Sequence, residues 1–218
     1  MNAKIRWVNW AVVLLALMAL VTEAHASALP PGSVDVSVIN LPSFAGTVVS
    51  DTGSVAYSFG GNTGNVREWV LLNATGALCA GCLAFAYQFA VTAGNVGRLS
   101  SAQYDAFTVD VSHFGGLSLP GSVAGGFGAN NADRDAGGNT IAFDFTSPVT
   151  PQGASFLLIA NTNATAFQAG IITLAPSTGT PSVTPGFAPA AQVSVPEPAT
   201  LLLLGSGVVA LGIWRRWR

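Results

Sequence analysis

Apolar and polar residues alternate with a period of two along much of the chain. In "SVDVSVI", Val34, Val36 and Val38 share one face, with Ser33, Asp35 and Ser37 opposite. "VAYSF" repeats the pattern with Val55, Tyr57 and Phe59. "CLAFAYQFAV" sets Leu83, Phe85, Tyr87, Phe89 and Val91 against Ala84, Ala86, Gln88 and Ala90. Successive side chains of a strand point to opposite faces, so this alternation predicts half-buried strands. The small residues on the second face of the last run predict that another layer packs close to it. "AFTVDVSHF" opposes Phe107, Val109 and Val111 to Thr108, Asp110 and Ser112, and "NTIAFDFT" aligns Ile141, Phe143 and Phe145. "SFLLIA" and "AGIITLA" are apolar on both sides, as expected of fully buried strands. Turns rich in Gly, Pro, Asn and Ser separate these segments. No stretch of the body carries a sustained 3.6-residue stripe, and no repeat of fixed period is present. The pattern predicts an all-β body, an antiparallel β-sandwich-like ectodomain.

The two ends break this pattern. Lys4, Arg6 and the free amine of Met1 precede an apolar run from Ala11 to Val21, and Ala24-His25-Ala26 follows. A positive segment, a short apolar core and a small-x-small triplet predict a signal peptide over 1–26, cut by signal peptidase after Ala26. Ala26-Ser27-Ala28 offers a second cut, after Ala28. A retained anchor is the alternative, although the run is short for a membrane span.

Near the other end, "LAPSTGTPSVTPGFAPAAQVSVPEP" predicts a Pro/Thr/Ala-rich linker over 176–195 behind a body of 27–175. Residues 199–214 then carry no charge. As a helix they span about 24 Å, against roughly 30 Å for the hydrocarbon core of a bilayer. Trp214 and Trp217 suit the headgroup zone, and Arg215, Arg216 and Arg218 suit the cytoplasmic side. A single C-terminal transmembrane helix in the inner membrane is therefore expected, with the body outside. Gly205, Ser206 and Gly207 leave room in mid-run for a close helix neighbour. Pro196 and Pro198 keep the chain extended ahead of the run, with Glu197 as the lone charge there.

Charge narrows the partners. From Ser27 to Val195 three bases (Arg67, Arg98 and Arg134) stand against eight acids, a net of −5, and there is no lysine. Neutralising phosphates requires clustered basic residues, so nucleic acid is excluded as a partner.

The order Pro196-Glu197-Pro198, apolar run with small residues, terminal arginine cluster resembles the PEP-CTERM sorting signal of exported bacterial proteins. The resemblance covers about the last 24 residues, the sorting signal proper being 196–218. It implies recognition and removal of the tail by exosortase, a membrane-embedded cysteine protease, with the cut near Pro196-Glu197-Pro198. It also implies an end location at the cell surface or in the extracellular matrix. A plain, unprocessed anchor is the alternative. More loosely, "VREWVLLNATGALCAGCLAFAYQF" and "DRDAGGNTIAFDFTSPVTPQGASFLLIANTNATAFQAG" are similar to ectodomains found ahead of such tails, which implies a β-rich surface domain and transfers no catalytic residue.

Few side chains in the body suggest chemistry. After export, Cys79 and Cys82 in Cys-Ala-Gly-Cys predict a structural disulfide, with Gly81 easing the turn. A redox pair is the alternative, but that chemistry wants the first thiol at a helix N-terminus and here a strand follows; a reduced pair is also open. Two cysteines are too few for tetrahedral zinc. His113 shares strand parity with Val109 and Val111, which predicts a core-edge histidine; no Gly-x-Ser-x-Gly elbow supports a catalytic relay through it. Asn131, Asp133 and Asp135, at alternate positions, form a weak calcium candidate that departs from the EF-hand pattern, and a solvated loop is the alternative. Asn73-Ala74-Thr75 and Asn163-Ala164-Thr165 fit a glycosylation pattern but read as turn and strand-edge residues. Glu68 is the body's only glutamate, and no aspartate stands out as its partner for sugar hydrolysis. The expectation is a non-enzymatic structural or adhesive surface domain without a cofactor. An exopolysaccharide-binding module is the alternative, and a hydrolase the third.

Overall fold

The computed structural model describes residues 26–176 and 180–191. The expected signal peptide as far as His25, the Pro196-Glu197-Pro198 motif, the run 199–214 and the Trp214–Arg218 end lie outside them. Among the described residues there are strands and no α-helix, and so no helix long and apolar enough to cross a membrane.

In chain order the strands are β1 (Ser27–Ala28), β2 (Val36–Ser37), β3 (Ile39–Asn40), β4 (Thr47–Asp51), β5 (Val55–Phe59), β6 (Asn62–Leu72) and β7 (Leu83–Ala93). They continue with β8 (Val96–Ser101), β9 (Val109–Phe114), β10 (Asn131–Arg134), β11 (Ile141–Val149), β12 (Leu157–Thr162), β13 (Ala166–Ala175) and β14 (Ser182–Ala190). One sheet has the order β1-β9-β12-β7-β6-β4, with β5 also on β6 and β3 also on β9. The other has the order β14-β13-β8-β11-β10-β2. Pairings between these strands are antiparallel except the short β3–β9 contact, where Ile39 faces Ser112 in parallel; outside them an isolated parallel bridge joins Phe127 to Ser155. The expected antiparallel sandwich is the observed architecture.

The aromatic face of β7 fills the space between the sheets. Phe85, Tyr87, Phe89 and Val91 are buried there with Val109, Val111, Phe143, Phe145 and Leu174. Rings from the two sheets meet edge to face, Phe89 on Phe145 at 5.5 Å. Burying a side chain of this size stabilises by about 1.5–3 kcal/mol, and offset or edge-on ring pairs add roughly 0.5–1.5 kcal/mol. The alanine face of β7 is covered too. Trp69 and Leu71 of β6, Leu157 and Ile159 of β12, Leu41 and Phe44 from the β3–β4 connection and Leu119 from the β9–β10 connection pack against Ala84 and Ala86. The second layer predicted from the small residues is thus made by loops and neighbouring strands, not by a third sheet.

Three expectations are corrected. Val34 is not on a buried face with Val36 and Val38, because Asp35 takes a left-handed conformation (φ 55°) that rotates the chain, and Val34 is 72% exposed. β13 is not buried on both sides, since Ile171 is exposed while Ile172 and Leu174 are buried. The linker predicted over 176–195 contains β14, which pairs with β13 from Ser182↔Leu174 to Ala190↔Ala166. Its prolines are compatible with an edge strand. Phe187 N–H points away from β13 and donates to Glu68 Oε2 at 2.6 Å. Pro185 and Pro189 share its parity, so they fall where β13 asks for no N–H.

Candidate functional site

Glu68, on β6, faces the inter-sheet core at 0% exposure. It is paired across the strands with Tyr87. Oε2 accepts the Phe187 amide from the other sheet, while Oε1 has no partner among the described residues. Gly186 makes this approach feasible, because a Cβ there would fall 2.6 Å from Oε2. Burial pushes the carboxyl up to about 8, with the Phe187 amide and the Tyr87 hydroxyl pulling the other way. Nearby, the Tyr87 and Tyr104 hydroxyls share a 2.5 Å hydrogen bond, and burial raises both phenols. Glu68 therefore fastens edge strand β14 of one sheet to β6, next to the edge of the other. It is not among the residues that line the two clefts around Arg134 and around Arg67.

Cys79 and Cys82 lie at bonding distance, with Cα atoms 5.1 Å apart, in the connection between β6 and β7. Gly81 supplies the left-handed turn (φ 79°), and its N–H donates to Asn73 Oδ1. Asn73 itself has φ 50°, the turn role its sequence suggested. Asn163 lies between β12 and β13 and accepts the Thr108 amide. No helix begins at either cysteine, so the local geometry that would activate a thiol is missing from this connection.

His113, next to last in β9, lies beside Phe156, edge to face at 5.3 Å. Burial lowers its pKa, partly offset by the Ala129 backbone. It is the core-edge histidine expected from parity.

The calcium candidate does not assemble. Asn131 and Asp133 share the outer face of β10, but Asp133 accepts the Asp35 amide at 2.8 Å and Arg98 Nη1 at 3.0 Å. Asn131 donates to Asp35, and Asp135 instead closes the following turn by accepting the Thr140 amide. Arg98 also bonds both carboxylate oxygens of Asp144 at 2.8 and 2.9 Å. Burial raises the Asp144 carboxyl to about 6 despite this cation; at Asp133 burial is outweighed by the Asp35 amide and Arg98, and the pKa is lowered. A guanidinium already occupies the place of a metal, and no group of three metal-ligating side chains occurs among the described residues.

The larger cleft, about 360 Å³, lies between the start of the domain and the β8–β9 connection, with Leu29, Asp105, Phe107, Asp110 and Arg134 on its walls. Arg134 is spent on structure, donating to the carbonyls of Leu29, Tyr104, Phe107 and Gly138. Trp69, the aromatic most suited to sugar stacking, is 0% exposed and donates to Pro120 O.

β14 is an edge strand of its sheet and ends at Ala190. Residues 194–216 match the PEP-CTERM protein-sorting motif. The chain carries a PEP-CTERM sorting motif. This motif implies export, sorting toward the cell surface and processing by exosortase. It begins four residues after β14 ends, so the PEP-CTERM segment and the folded body are nearly continuous. Neither the curated proteins nor the solved structures gave a match.

Proposed function

We propose that this chain is an exported bacterial surface or extracellular-matrix protein. A signal peptide starts its export, and the run 199–214 anchors it briefly in the inner membrane. Exosortase then cuts near Pro196-Glu197-Pro198 and releases a non-enzymatic structural or adhesive β-sandwich. The observation that carries this reading is the sorting-motif match directly behind the last strand. The non-enzymatic role is supported by the structural partners of the titratable groups. Glu68 binds a β14 amide, Asp133 and Asp144 bind Arg98, and Arg134 binds four carbonyls. The exopolysaccharide-binding alternative draws no support from Trp69, which is sealed under Pro120. Mass spectrometry of the released protein is the test. The mature form is expected to contain the β14 peptide and to lack "GIWRRWR". Released protein carrying that terminal peptide contradicts the reading.

A further inference from the structure

The outer face of the β13–β14 hairpin is apolar and open. Phe167, Ile171 and Val183 are 38%, 45% and 61% exposed, and all three lie on one face by register. Pro185 stands opposite Ile171, and the Phe167 and Phe187 rings meet edge to face at 5.4 Å. The stripe runs about 20 Å along the strands. Neither strand contains a charged residue. Contiguous exposed apolar surface of this kind marks a contact with a partner or a membrane.

Three observations choose the occupant. Eight residues, 191–198, separate the end of β14 from the uncharged run at 199. Fully extended they reach at most about 28 Å, less than the width of a domain whose radius of gyration is about 15 Å. Phe167 pairs with Pro189, so the stripe starts at the tethered corner. Next, a second copy cannot readily add along the β14 edge. Pro185 and Pro189 offer no N–H there, and the Phe187 N–H is already bound to Glu68. Finally, the face has no charge and the body has no lysine, so contact with a surface has to be made by apolar insertion.

We propose that this face rests on the lipid surface of the membrane to which the tail is anchored, with Phe167, Ile171 and Val183 entering the boundary between headgroups and acyl chains. The inference rests on the membrane-anchored reading above and deepens it: the hairpin is a second, weaker membrane contact that orients the body until the tail is cut.

The full chain tests this with single cysteines at Ile171→Cys and Val183→Cys, and Val34→Cys as control. Val34 precedes β2, at the opposite edge of the same sheet, and Cys79 and Cys82 are already paired. Each variant carries a polarity-sensitive fluorophore and is reconstituted in phosphatidylcholine vesicles, with and without acyl-brominated lipid. The expected result is blue-shifted emission, quenched by bromolipid, at 171 and 183 and not at 34. Co-flotation with vesicles but solvent-like emission at 171 and 183 overturns the hairpin contact and leaves the anchored tail standing. Failure to co-float overturns both. A blue shift that persists in detergent and grows with protein concentration assigns the face to a second copy, and the proposal fails.

Discussion

Replacing Glu68 by glutamine removes an ionisable proton from the core while keeping the side chain's shape and an acceptor for the Phe187 amide. In the folded protein burial lifts the carboxyl to about 8, against 4.5 in water. The unfolded chain gives up this proton above about 4.5, whereas the folded chain holds it until about 8. Stability is therefore full below the lower value and falls as pH rises, by about 1.4 kcal/mol per pH unit, until Glu68 ionises in place. Other groups titrate on the acid side, among them Asp110, raised from 3.8 by burial. Asp144 is raised to about 6, and His113 is lowered from 6.5. The window from pH 6.5 to 8 thus belongs mainly to Glu68, and the native protein is expected to lose about 2 kcal/mol across it. With a urea dependence of about 2 kcal/mol per molar, the unfolding midpoint drops by about 1 M. In Glu68→Gln the midpoint stays flat across the same window, whatever its absolute height. Urea titrations of the folded domain at several pH values provide the measurement. A flat native profile, or an undiminished slope in the glutamine variant, would refute the assignment of a neutral carboxyl in the core.

Further outcomes are expected elsewhere. Phe89→Ala removes a ring that bridges the sheets through Phe145 and should cost about 3–5 kcal/mol in chemical denaturation. N-terminal sequencing of exported protein should begin at Ser27. Ser27 and Ala28 pair with Val111 and Asp110, and a cut after Ala28 would leave a charged terminus on fully buried Leu29. Thiol titration of exported protein should find no reactive cysteine before reduction. Breaking the Cys79–Cys82 link should lower stability by about 2 kcal/mol at most, because the loop it closes is short.

β7 was legible because its two faces differ so plainly, aromatic toward the other sheet and alanine toward the loops. The adjacent β6 was not. Both of its faces are buried only from Glu68 to Leu71, and the polar pair Arg67-Glu68 at the start of that stretch interrupts any simple alternation. Arg67 lies 5.2 Å from the Trp69 ring on its own strand, but it is satisfied by Asp51 of β4, a contact between segments that no local pattern reveals. β14 was hidden for a different reason. Its prolines resemble a linker's until the strand's edge position shows that they face away from β13. The calcium candidate failed through long-range partners: Arg98 is distant in sequence and fills the space among the carboxylates. The sorting motif, by contrast, was readable from the sequence, since its three parts follow one another within 194–216 and need no partner distant in the chain.

The bond from Phe187 to Glu68 joins positions 119 residues apart, and Phe187 stands only nine residues ahead of Pro196. A polypeptide threaded outward from its N-terminus cannot close that bond until almost all of the body has emerged. Completion of the sandwich and arrival of the sorting motif are thus nearly simultaneous events. A chain that ended before β14 would leave β13 without its edge partner and the Glu68 carboxyl without its amide.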